Sequence, residues 1–145
     1  NRLKEELDIP IMHDVQHGTA IISCAALLNA LELVNKKIED ATIVVSGAGA
    51  AAISCTRLYQ AFGARAENIM MTDSKGVIRK DRENLTKEKA EFATDRDVNT
   101  LEEAMKGADV FIGLSLGNIV TEDMLRGMGP DPIVFAMAIS WVYTT

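Results

Sequence analysis

Two glycines between an apolar run and a helical pattern constrain the fold of this chain more than any other feature. Gly47 and Gly49 follow the run at residues 42–46 and precede a helical pattern over residues 50–62. In a strand–turn–helix unit the first glycine permits a tight turn, and the second lets phosphate groups approach the helix N-terminus. The next apolar run closes on Asp73, where such units carry a carboxylate that binds an adenosine ribose. The alternatives are a tight turn without a ligand and an aspartate that caps a turn.

Apolar runs and helical patterns alternate along the rest of the chain. We predict strands at residues 43–45, 69–72, 109–113 and 132–136, and helices at residues 19–35, 50–62, 85–92, 101–106 and 122–128. Thr100 and Glu103 form a capping-box pattern, and Thr121 is a second helix cap. Residues 9–12 read as a short strand, residues 13–18 as a polar turn and residues 75–84 as irregular. The alternation predicts an α/β fold with a doubly wound parallel sheet of the Rossmann, dinucleotide-binding type.

The helix predicted at residues 19–35 is apolar on most of its circumference. Ile21, Ile22 and Leu33 extend its apolar stripe, so we expect the helix to be largely buried. Cys24 and Cys55 both lie in apolar helical patterns, which favours two buried thiols over a disulfide.

Composition limits the partners of the chain. Its 145 residues suffice for one domain with a core, and its net charge of −6 argues against nucleic acid or a membrane surface as partner. No apolar run approaches the roughly 20 residues that span a bilayer, and no signal-peptide pattern is visible, so we expect a cytoplasmic protein. The N-terminus lacks Met and reads as the tail of a helix, which predicts a fragment or a liberated domain.

Four segments together resemble the malic enzyme family, most closely its compact bacterial and archaeal type. They are His-Asp-Val-Gln-His-Gly-Thr-Ala at residues 13–20, the glycine turn at residues 46–52, Asp-Ser-Lys-Gly at residues 73–76 and Gly-Leu-Ser at residues 113–115. The resemblance implies an NAD(P)-binding domain at residues 1–138 and an atypical tail at residues 139–145. Malic enzymes oxidise L-malate with NAD or NADP and decarboxylate the bound oxaloacetate to pyruvate, with a divalent metal (Mg²⁺ or Mn²⁺).

The resemblance also implies roles for individual residues. Those that match cofactor-binding positions are Thr19, Gly47, Gly49, Ala50, Ala51, Asp73, Ser74, Lys75, Lys89 and Ser115. The glycines and alanines match the pyrophosphate loop, and Asp73 matches the ribose carboxylate. Ser74, Lys75 and Lys89 match groups around the 2′-phosphate of NADP, although solvated surface lysines are the alternative. Thr19 and Ser115 match the nicotinamide side.

Three departures from the family pattern bear on catalysis. Asp14 matches the first residue of an Asp-Asp pair at the metal site, but Val15 replaces the second, and an isopropyl group donates no oxygen to a metal. The other acidic ligands and the catalytic Tyr and Lys lie upstream of Asn1 in the family. Ile139-Ser140 stands where the family has Asn-Pro. We therefore expect no complete catalytic set, with Asp14 the nearest candidate both for catalysis and for metal binding.

Several interpretations stay open beside this one. Asp14 also suits a hydrogen-bond acceptor at a helix entry, and His13 and His17 suit a structural role better than a metal pair. The chain could be a non-catalytic dinucleotide-binding or assembly module, or the cofactor half of another two-domain dehydrogenase. We expect it to form homo-oligomers, because a domain separated from a larger protein exposes apolar surface.

Overall fold

A computed structural model describes residues 14–138, with side chains from residue 17 onward. Its strands are β1 (Ile43–Ser46), β2 (Ile69–Asp73), β3 (Gly76–Val77), β4 (Val110–Gly113) and β5 (Ile133–Ala136). Its helices are α1 (Asp14–Leu33), α2 (Ala50–Ala61), α3 (Lys87–Glu91), α4 (Leu101–Met105) and α5 (Glu122–Arg126), with a 3₁₀ turn at Ala66–Asn68.

The five strands form one sheet in the order β3-β2-β1-β4-β5. β1 pairs in parallel with β2 and β4, and β4 pairs in parallel with β5. The predicted α/β fold with a doubly wound, mostly parallel sheet is confirmed. β1 therefore lies in the centre, with a parallel neighbour on each side.

Side chains of alternate residues in the strands supply two cores, one on each face of the sheet. On one face Val45 and Met71 pack with Leu27 of α1 and with Tyr59 of α2. On the other face Val44, Met70 and Phe111 pack with Met105 of α4 and with Met128. Burial on both faces explains why the central strands are continuous apolar runs rather than alternating ones.

Two local predictions were wrong. Residues 75–84 are not wholly irregular, because β3 pairs antiparallel with β2 through a turn in which the Lys75 N–H donates to Asp73 Oδ1 at 2.9 Å. Residues 14–18 are not a turn, because α1 begins at Asp14. One interior glycine, Gly18, costs a helix only about 1 kcal/mol, which the packing of α1 outweighs. The strand predicted at residues 9–12 lies outside the described residues.

The prediction that α1 is largely buried was also wrong in part. Ala20, Cys24, Leu27 and Leu31 are buried, but Ile21, Ile22 and Leu33 are 59%, 73% and 87% exposed. A helix that packs on one side buries one stripe, so apolar residues around the rest of its circumference stay in solvent. Cys24 and Cys55 are both buried and free, as predicted.

Candidate functional site

The turn after β1 requires its first glycine for reasons of backbone geometry. Gly47 has a φ of +124°, and a Cβ at this position would lie 3.3 Å from the Leu114 carbonyl carbon. The Gly47 N–H donates to the Thr72 carbonyl at 2.9 Å, which fixes the turn against the end of β2. A side chain at this position would therefore meet both strain and a neighbouring backbone.

The second glycine leaves open space instead. Gly49 is the N-terminal cap of α2 in an extended conformation, and a Cβ built on it has no atom of the described residues within 4 Å. No side chain of residues 17–138 caps the first turn of α2, and that turn carries no acidic residue. The fold itself does not need a glycine at position 49, so the free space and the uncapped N–H groups suit an anionic ligand.

A cleft of about 800 Å³ opens in front of this turn. It lies at the carboxyl ends of β1, β2 and β4, where an open α/β sheet binds its ligands. Its lining comprises Ser46, Gly47, Ala48, Gly49, Thr72, Asp73, Ser74, Lys75, Gly76, Lys89, Asn99, Thr100, Leu101, Ser115, Leu116, Ile119 and Met124.

At the β2 end of the cleft, Asp73 is paired with two cations of the protein. Lys89 Nζ lies 2.7 Å from Asp73 Oδ2, and both terminal guanidinium nitrogens of Arg82 lie 3.2 Å from the Asp73 carboxylate. Burial alone would raise the pKa of Asp73, but hydrogen bonds from Lys89, Arg82 and the Lys75 N–H outweigh it and lower the pKa to about 2. Asp73 is thus an anion held between two cations, and together with Arg82 and Lys89 it forms the Asp73 cluster.

At the β4 side the lining carries no charge. Ser115 follows β4 and its Oγ lies 3.0 Å from Ser46 Oγ. Leu116 is 77% exposed and Ile119 is 37% exposed. Leu101 and Met124 are further apolar residues of the cleft lining.

The structure brings most of the predicted site residues together. Gly47, Gly49, Asp73, Ser74, Lys75, Lys89 and Ser115 all line the cleft. Ala50 and Ala51 lie in the first turn of α2, beside the lining. Thr19 lies on α1, half-buried and outside the cleft lining. Asp14 and Val15 lie in the first turn of α1, and their side chains fall outside the description.

Sequence reasoning missed Arg82, which also donates to the Val77 carbonyl at 3.1 Å. Arg82 lies in a charged segment with no periodicity, so no spacing rule pointed to it. Asn99 and Leu101 were missed as lining residues as well. Their signal was the capping box at Thr100, which places the start of α4 at the cleft.

The described residues offer no metal centre. Among the side chains of residues 17–138, no group of three or more His, Cys, Asp or Glu is placed to hold an ion. The same region contains no helix with the length and apolar character needed to cross a membrane.

Comparison with known proteins agrees with this geometry. The sequence model of the family described as malic enzyme, NAD binding domain, matches residues 16–139. An NADP-dependent malic enzyme of Halomonas elongata is 53% identical over 134 residues, covering 92% of this chain and 32% of that protein. The crystal structure of Entamoeba histolytica malic enzyme is 38% identical with a TM-score of 0.85, covering 99% of this chain and 32% of the other. The crystal structure of an NAD-dependent malic enzyme from Thermotoga maritima is 39% identical with a TM-score of 0.82, and the match covers 94% of this chain and 37% of that one. This chain thus spans about a third of the length of each of these relatives.

Proposed function

Since this chain belongs to the malic enzyme family and matches its NAD-binding domain, we propose that its cleft binds NAD or NADP as the cofactor part of an enzyme that oxidises and decarboxylates L-malate to pyruvate. One observation supports this above the others: the Gly47–Gly49 turn and Asp73 open into the same cleft. The pyrophosphate lies against the start of α2, where N–H groups are free of side-chain caps. The adenosine ribose lies toward Asp73.

Charge at the end of β2 favours NADP in this proposal. Asp73 contributes one negative charge, whereas Arg82 and Lys89 contribute two positive charges within hydrogen-bonding distance of it. Lys75 and Ser74 are exposed beside them. A lone aspartate repels a 2′-phosphate, but one flanked by two cations leaves a net positive site that attracts it. Relatives that use each cofactor exist, since the Halomonas enzyme is named NADP-dependent and the Thermotoga enzyme NAD-dependent.

The divalent metal of the family does not fit the residues described. Val15 occupies the position of an expected oxygen ligand, and the side chains of residues 17–138 provide no alternative donor set. We propose instead that this chain alone binds the dinucleotide and does not oxidise malate.

Two measurements test the proposed function. Calorimetric titration of the purified chain with NADP and with NAD should give saturable binding, tighter for NADP. A spectrophotometric assay with malate, Mn²⁺ and either cofactor should show no reduction of cofactor above a blank. If neither cofactor binds at millimolar concentration, the cleft is not a dinucleotide site. Metal-dependent turnover of malate would contradict the proposed inactivity.

An assembly role is the second candidate. Ile22, Leu33 and Val134 are 73%, 87% and 41% exposed, which leaves apolar surface available for association. The proposal includes homo-oligomers and a cytoplasmic location. A strictly monomeric species at high concentration by light scattering would contradict the oligomer.

A further inference from the structure

Two hydroxyl groups meet where β1 and β4 open into the cleft. Ser46 is the last residue of β1 and is 1% exposed, and its Oγ lies 3.0 Å from the Oγ of Ser115. Ser115 is exposed and lines the cleft. Its Cβ would lie 3.4 Å from a Cβ at Gly47, so the pair is adjacent to the glycine turn.

Burial determines the direction of this hydrogen bond. Across residues 17–138, Ser115 Oγ is the one partner found for the Ser46 hydroxyl. A buried hydroxyl hydrogen without an acceptor costs about 1–3 kcal/mol, so the Ser46 O–H donates to Ser115 Oγ. The hydrogen of Ser115 then has no acceptor among residues 17–138, and it belongs to an exposed group at the wall of the cleft. A hydroxyl whose oxygen already accepts a hydrogen bond is a stronger donor.

We propose that Ser46 is a positioning residue that orients the Ser115 hydroxyl to donate to an oxygen of the bound dinucleotide. This inference rests on the proposed dinucleotide function. Asp73 lies on the β2 side of β1 and Ser115 on its β4 side, so a dinucleotide that crosses β1 presents its two halves to different sides. The oxygen that Ser115 contacts therefore belongs to the nicotinamide nucleotide half and not to the adenosine half.

A double-mutant cycle on cofactor affinity tests the positioning role. Titration calorimetry with NADP would compare the wild-type chain, Ser46→Ala, Ser115→Ala and the double variant. We expect Ser115→Ala to weaken binding about tenfold and Ser46→Ala about threefold. The double variant should be no weaker than Ser115→Ala alone, because Ser46 acts through Ser115. The same variants should bind adenosine 2′,5′-bisphosphate, which lacks the nicotinamide half, as the wild type does.

Thr56→Val is a matched control for removing a buried hydroxyl. Thr56 is fully buried, and its hydroxyl donates to the Ala52 carbonyl at 2.8 Å within α2, away from the cleft. The Thr56→Val variant should bind NADP as tightly as the wild type does, and thermal melting should show that every variant is folded.

The possible results separate this inference from the proposed function. Additive losses of NADP affinity from Ser46→Ala and Ser115→Ala would overturn the positioning role of Ser46, because Ser46 would then act independently of Ser115. Equal losses with adenosine 2′,5′-bisphosphate would overturn the assignment to the nicotinamide half. An unchanged affinity of Ser115→Ala, with NADP bound by the wild type, would overturn the inference alone. Failure of the wild type to bind NADP or NAD would overturn the proposed function as well.

Discussion

The two sides of the cleft are built by different means. On the β2 side, Asp73, Arg82 and Lys89 have side chains only 10%, 22% and 30% exposed, and ion pairs between them hold them in place. On the β4 side, Leu116 and Ile119 are exposed and uncharged. The ion pairs preorganise the β2 side. In our proposal this side distinguishes ligands by charge, whereas the β4 side gains its contacts when a ligand covers it.

Preorganisation has an energetic consequence for binding. Side chains that already hold one another lose little conformational freedom when a phosphate arrives, so most of the favourable interaction appears as affinity. An exposed leucine contributes mainly the burial of its apolar area. We therefore expect substitutions on the β2 side to change selectivity between cofactors, and substitutions on the β4 side to change affinity for both alike.

The largest effect should come from the turn that joins the two sides. Gly49→Val places an isopropyl group in the open space before α2, where the pyrophosphate lies in our proposal. Because a Cβ there meets no atom of the described residues, the fold should remain stable while NADP and NAD affinity both fall about 100-fold or more. Calorimetric titration and thermal melting measure the two properties.

Gly47→Ala provides the contrast. Gly47 has a positive φ and lies close to the Leu114 backbone, so the added methyl group should lower the stability of the fold as well as cofactor affinity. If Gly49→Val binds either cofactor as tightly as the wild type, the turn is not the pyrophosphate site.

The next largest effect separates the cofactors. Lys89→Gln removes one of the two cations on Asp73, which leaves its negative charge less compensated. We expect NADP affinity to fall about tenfold and NAD affinity less than threefold, because only NADP brings a 2′-phosphate to this cluster. The ratio of the two dissociation constants is the quantity to measure.

Lys80→Gln makes the same change of charge outside the cleft. Lys80 pairs with Asp95, and its side chain is 59% exposed. The Lys80→Gln variant should therefore have the same ratio of NADP to NAD affinity as the wild type. If the ratio of NADP to NAD affinity were unchanged in Lys89→Gln, the Asp73 cluster would not recognise the 2′-phosphate.

The sequence predicted the parts of this cleft that follow from local rules. Gly47, Gly49 and Asp73 were predicted as site residues because a strand–turn–helix unit fixes their spacing. Thr100 was predicted only as a helix cap, from the local pattern of a capping box, and not as a residue of the cleft. Arg82 was not found, because its role depends on how an irregular segment folds back on Asp73. The exposure of Ile22 was predicted wrongly, because apolar character does not determine which face of α1 meets the sheet.

A third prediction concerns the stability of the β2 side. The folded pKa of Asp73 is about 2, below the value of 3.8 expected when unfolded, so the ion pairs stabilise the fold above about pH 4 and lose that contribution as the pH falls toward 2. Asp73→Asn should lower the free energy of unfolding by about 1–2 kcal/mol at pH 7. Denaturant titrations of the wild type and the variant at several pH values measure this difference. If it does not shrink between pH 5 and pH 3, the Asp73 carboxylate does not supply the stabilisation.

The smallest effect should be on the β4 side, at Leu116. The Leu116 side chain is 77% exposed, so Leu116→Ala removes little buried area and should leave the melting temperature unchanged. A ligand in the cleft covers part of this side chain, and partial burial of a leucine is worth up to about 1 kcal/mol, which corresponds to a loss of about twofold to fivefold in affinity. The loss should be equal for NADP and NAD, because Leu116 bears no charge and lies away from the Asp73 cluster. Leu33→Ala, on α1 and 87% exposed, is the matched control and should change neither affinity. If Leu116→Ala weakened the binding of NADP alone, the β4 side would also determine selectivity between the cofactors, which contradicts the comparison of the two sides.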